Sequence, residues 1–227
     1  MVEQSPGRRA LISGIGTALA TAAIAIRPTR AHAQAAAFQP ARHPQDAWLN
    51  ELPGRHRVII DCSTATGAGE GLLYASNLFV ANKAAYQIEQ GDLAIVVCMR
   101  HLATVFAYND AMWAKYGTAF SAIAQFTDPK TKAVPTTNLY NSADYGMSLT
   151  NFGNSIGAVA QKGTQFAVCD MATTFIAGHV AAEMKTDPKA LHDELVANLI
   201  PNSHLMAAGV VAVNRAQEYG YTLLSAG

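Results

Sequence analysis

Short apolar runs alternate with longer stretches of helical periodicity along this chain. Val58-Ile59-Ile60-Asp61-Cys62, Leu93-Ala94-Ile95-Val96-Val97-Cys98 and Gln165-Phe166-Ala167-Val168-Cys169 are the clearest runs. Near-continuous apolar runs of this length predict strands buried on both faces. The strands fall at about 57–61, 93–98 and 165–169, and two weaker runs predict a fourth strand at 204–208 and a fifth at 221–224. Between them the spacing predicts helices over 70–88, 102–116, 154–161 and 171–183, then from Asp187-Pro188 to about 200, and over 210–219. Gly163 and Gly220 suit helix ends, Asp170 and Asp187 suit N-caps, and Pro188 suits a first turn. Alternating strands and helices predict an α/β fold: three layers, α/β/α, around a mostly parallel sheet of about five strands.

The segments between these elements carry their own expectations. Residues 63–70 read as a small-residue turn. Residues 117–150 read as a long insertion with one helical turn near 119–126, which either lines a site or makes a surface or subunit contact. Residues 34–55, rich in Ala, Pro and His, read as a flexible arm. Ahead of it, Gly7-Arg8-Arg9-Ala10-Leu11-Ile12, a weakly apolar stretch to Ile26 and Ala31-His32-Ala33 form the pattern of a twin-arginine signal cleaved before Gln34. Residues 1–33 are thus expected as a signal peptide and 56–227 as a single domain, exported to the periplasm and free of the membrane after cleavage.

Composition narrows the function classes. Half the residues are hydrophobic, 14% are charged and the net charge is zero. That supports a sizeable core and, with no basic run or basic helix face, argues against nucleic-acid binding. No G-x-G-x-x-G or G-x-x-x-x-G-K stands in the chain, so Gly67-Ala68-Gly69 reads as a tight turn and no cofactor is assigned. Phe106, Tyr108, Trp113 and Tyr116 sit at helical spacing and read as core and subunit contacts.

The three cysteines carry the candidate chemistry. Cys62, Cys98 and Cys169 each close a predicted strand, and in open α/β sheets ligands collect at the carboxyl ends of strands. An odd number of thiols argues against a disulfide framework. Cys169 is the first candidate nucleophile: a cysteine at a helix start meets free N–H groups and the positive end of the helix dipole, both of which favour the thiolate. Asp170 opposes that effect. The competing reading is a buried cysteine acting as a small hydrophobe. Cys98-Met99-Arg100-His101 is the second constellation. Arg100 could meet an anion or thiolate, and His101 could move a proton, ligate a metal or simply cap the next helix. Three thiolates with His101 would suit Zn or Cu(I), provided the side chains share a face, but a slip of one residue in register would remove such a site.

The sequence resembles the DsrE/DsrF-like sulfur-relay family. The segments that carry the resemblance are Gly69-Glu70-Gly71-Leu72-Leu73-Tyr74-Ala75-Ser76-Asn77, Asp110-Ala111-Met112-Trp113-Ala114-Lys115-Tyr116, Lys162-Gly163-Thr164-Gln165-Phe166-Ala167-Val168-Cys169, and Ala207-Ala208-Gly209-Val210 with Ala216-Gln217-Glu218-Tyr219-Gly220-Tyr221. It covers roughly residues 57–224. It implies a flavodoxin-like, DsrE-like sheet and a trimer or hexamer. It further implies a persulfide carried on Cys169, exchanged with a sulfur donor or acceptor protein or a small sulfur species. On the reading of the residues themselves, Arg100 and His101 would assist there, and Cys98 and Cys62 are the candidate ligand-binding groups. The alternative is a non-enzymatic oligomer that binds a metal or small ligand through the strand-end thiols and His101.

Overall fold

The alternation of apolar side chains on each strand decides which layer each residue joins. The computed structural model describes residues 39–227. The twin-arginine pattern, its cleavage site and residues 34–38 lie outside the described residues. In chain order the elements are α1 (Trp48–Glu51), β1 (His56–Cys62), α2 (Ala65–Tyr86), β2 (Leu93–Met99), α3 (Asp110–Ala124), α4 (Ile156–Gln161), β3 (Gln165–Cys169), α5 (Asp170–Met184), α6 (Pro188–Ala197), β4 (Ser203–Met206), α7 (Gly209–Glu218) and β5 (Thr222–Ala226). The strands form one sheet in the order β4-β3-β2-β1-β5, parallel at every pairing. The expected three-layer α/β/α architecture is the one the chain adopts.

Val58, Ile60 and Cys62 of β1, Val97 and Met99 of β2, and Phe166 and Val168 of β3 pack under α2 to α6. Ile59, Val96, Cys98, Ala167 and Met206 occupy the other face, against Ala212 and Ala216 of α7 and Leu49 of α1. Topology explains the division. From β1 to β4 each strand is added on the same side of the last, so right-handed crossovers set all those helices on one face. The final connection runs back from β4 to β5 beyond β1, which sends α7 across the opposite face. The chain therefore leaves β3 toward one layer and its neighbour β4 toward the other, and a crevice opens between their carboxyl ends.

Several element boundaries differ from expectation, each for a local reason. Helix α2 starts at Ala65 because Thr64 Oγ1 accepts from the Gly67 N–H at 2.9 Å. The small-residue segment is its first turn rather than a loop. The helix expected over 102–116 is two pieces. His101–Ala107 is a 3-10 run, Tyr108 bridges to Leu199, and Asn109 Oδ1 caps α3 through the Met112 N–H at 3.2 Å. Helix α3 continues to Ala124 and absorbs the short turn expected near 119–126, so the irregular segment begins at Gln125. That segment is anchored onto the core. Asn138 Nδ2 donates to the carbonyls of Phe106 (2.8 Å) and Tyr108 (2.9 Å), and Tyr140 Oη donates to the Ala65 carbonyl at 2.7 Å. Phe106, Tyr108, Trp113 and Tyr116 are core residues, as expected.

The lead-in is packed from Pro44 onward instead of forming a loose arm. Leu49 is buried, and its carbonyl accepts from Arg57 Nη1 at 2.7 Å and Tyr221 Oη at 2.8 Å. The Trp48 ring stacks on His204 at 3.8 Å. Among the described residues, no helix is long and apolar enough to cross a membrane.

Candidate functional site

The crevice beyond β3 and β4 holds a cavity of about 350 Å³. Its walls come from three strand-to-helix connections. Arg100, His101 and Leu102 follow β2, Cys169 ends β3 with Met171, Ala172, Phe175 and Ile176 after it, and Ala208 to Val210 follow β4, with Ile123 of α3 closing the set. Of the expected insertion at 117–150, Ile123 lines the cavity, whereas none of residues 125–150 does.

Cys169 ends β3 and is itself the N-cap of α5. The cap was expected at Asp170, but the extended backbone of Cys169 lets its Sγ accept from the Ala172 N–H at 3.4 Å. The sulfur thus occupies the position where a serine or aspartate oxygen usually sits, beside free N–H groups and the positive end of the dipole. Only 7% of Cys169 is accessible, and the cavity is the route by which it is reached. Its backbone is held by a hydrogen-bond chain: Tyr108 Oη lies 3.0 Å from Thr173 Oγ1, which donates to the Cys169 carbonyl at 3.0 Å.

Asp170, the charge that opposes a thiolate next door, is itself paired. His192 Nε2 of α6 lies 2.7 Å from Asp170 Oδ1. That hydrogen bond raises the His192 pKa above its ordinary value, with a smaller contribution from Asp193.

Arg100 reaches the cavity but is not a free cation. Its Nε and Nη2 donate to Asp61 Oδ1 and Oδ2 at 2.6 and 2.8 Å, a bidentate pair. This hydrogen bond holds the guanidinium pKa above its ordinary value. His101 is exposed at the cavity wall with φ at 53°, in the left-handed region that a β-carbon disfavours.

Cys98 and Cys62 lie away from the cavity. Both are fully buried and neither lines the cavity. Cys98 faces α7 and its thiol donates to the Gly209 carbonyl at 3.6 Å, whereas Cys62 faces α2 on the opposite side of the sheet. Burial is the main force that pushes both thiols up. The arrangement of three thiols around one centre is therefore not formed. Among the described residues no three His, Cys, Asp or Glu side chains converge as metal ligands.

Residue types alone had not singled out Asp61, Thr173 or His192. Asp61 carried a signal, since a carboxylate inside an apolar strand needs a cation. His192 carried none, because its contact depends on how α5 and α6 pack.

The chain matches no protein-family model and no curated protein. The class that fold and site define is a parallel α/β/α domain with a thiol-bearing crevice at its switch point.

Proposed function

We propose that this chain is an exported sulfur carrier of the DsrE/DsrF type, holding sulfane sulfur on Cys169. The observation that supports it best is the Cys169 sulfur itself. It caps α5, accepts an N–H, and borders a cavity at the switch point of the sheet. Those features put the sulfur where a small sulfur species can reach it. The reaction is an exchange without net oxidation. The Cys169 thiolate attacks the outer sulfur of a donor R–S–SH, the new S–S bond forms, the donor S–S bond breaks, and its electron pair leaves on R–S⁻. The attacking thiol's proton goes to solvent, and the departing thiolate takes one back. His101, which lines the same cavity, is the residue assigned here to relay that proton. Arg100, paired with Asp61, supplies a fixed dipole at the rim. Assembly into a trimer or hexamer, and a donor or acceptor protein as partner, follow from the family resemblance, and periplasmic export follows from the N-terminal pattern.

Incubation of the purified chain with inorganic polysulfide, read by intact mass, tests the reading. Wild type should gain whole sulfur atoms and Cys169→Ser should not. No gain in wild type, or equal gain in the variant, would falsify the proposal.

The apolar walls support a second reading, capture of a small apolar molecule without sulfur transfer. Displacement of a fluorescent apolar probe that is indifferent to Cys169→Ser, with no sulfur gain, favours that reading instead.

A further inference from the structure

From the chemistry of the cavity walls we infer the class of sulfur donor, an inference that rests on the sulfur-carrying reading: a neutral organic hydropersulfide with an apolar substituent, and not thiosulfate or another small dianion.

Two observations carry it. The first is charge. Among the described residues that line the cavity, Arg100 and His101 are the only basic ones, and the Arg100 charge is already matched by both oxygens of Asp61. A dianion entering here would lose its hydration with only the exposed His101 ring and the N–H groups at the start of α5 to replace it, a large cost. The second is surface. Leu102, Ile123 and Ile176 line the interior, and Met171, Phe175 and Val210 at the mouth remain 68%, 65% and 63% exposed. Large apolar side chains left open around one recess mark a place where apolar surface is to be covered. The volume of about 350 Å³ is at the small end of ligand pockets. It suits a short alkyl or aryl group beside the sulfur.

The chemical step is the one already described: R–S–SH gives its outer sulfur to Cys169 and leaves as R–SH. The group R lies against Phe175 and Ile176 during the exchange. Each methylene that enters the cavity should then speed transfer by about fourfold until the recess is full.

The experiment measures initial rates of sulfur gain at Cys169 by intact mass. The donors are hydropersulfides generated in situ, from methyl to hexyl, with inorganic polysulfide and thiosulfate alongside. The expected result is a rate that climbs several-fold per added carbon, thiosulfate slower than every alkyl donor, and a flattened climb in Phe175→Asp. Phe175 is exposed, so that variant should fold. A flat alkyl series, or thiosulfate as fast as hexyl, overturns this inference while loading by inorganic polysulfide leaves the carrier reading standing. Failure of every donor to load Cys169 overturns both.

Discussion

Gly209 begins α7 with no room between it and Arg100: a β-carbon built there would lie 2.2 Å from the Arg100 Cβ. The close approach lets the guanidinium turn to Asp61 while α7 starts directly beside the cavity. Gly209→Ala should push Arg100 away and destabilise the fold by ~1–3 kcal/mol, as overpacking does. Gly178, inside α5, meets nothing within 4 Å. Gly178→Ala should stabilise by roughly 0.5–1 kcal/mol through helix propensity. Urea midpoints of the two variants should move in opposite directions.

Native alkylation should count one thiol. Cys62 and Cys98 are sealed and their thiols are pushed up by burial, while Cys169 opens to the cavity. Iodoacetamide should label the other two roughly a hundredfold more slowly or slower still, through opening of the fold. In Cys169→Ser the fast phase should vanish; its persistence would show that another sulfur is the accessible one.

Gly71 and Cys62 form a pair that a double-mutant cycle can expose. A methyl at Gly71 would sit 2.4 Å from the Cys62 sulfur. Gly71→Ala should cost ~1–3 kcal/mol. Adding Cys62→Ala removes the obstructing atom, so the double variant should be more stable than the sum of the singles predicts. Thermal or urea unfolding of the four proteins measures the coupling.

The Asp170–His192 contact gives stability a pH dependence of known sign. The folded His192 pKa is raised, so its contribution is full below the unfolded value near ~6.5 and fades as pH climbs through the folded value. The stability gap between wild type and His192→Gln should be widest near pH ~5.5, no more than ~1 kcal/mol for so exposed a pair, and should narrow by pH ~8.5. A gap that widens with pH would contradict the assignment.

His101 holds a positive φ at the first position of the 3-10 run His101–Ala107. Such a conformation costs a non-glycine residue of order 1–3 kcal/mol. His101→Gly should therefore raise the unfolding midpoint, while sulfur loading of Cys169 slows if the ring relays a proton. Loading at the wild-type rate across pH 6 to 8 would remove that role.

The architecture was legible because β1, β2 and β3 are long apolar runs that two covered faces require. The order of strands was not, since nothing local to 203–206 or 222–226 says which edge each will join. Cys169 was legible through its position before a helix. Cys98 misled because a strand-end thiol can face either layer, and one step of the pleat sends it under α7. The break at Tyr108 was written in Asn109-Asp110, a capping signal overridden in the reading by the apolar periodicity around it. His192 and Asp170 stand on separate helices whose packing no window of sequence encodes.

The opposite orientations of Cys62 and Cys98 have a consequence for the chain's chemistry toward oxidants. Their strands are neighbours, yet the side chains diverge across the sheet, so no bridge between them can close while the domain stays folded. Crosslinking of these two thiols within one molecule is blocked by layer geometry alone. The Cys169 sulfur borders a recess, so its redox state is a matter of what visits there.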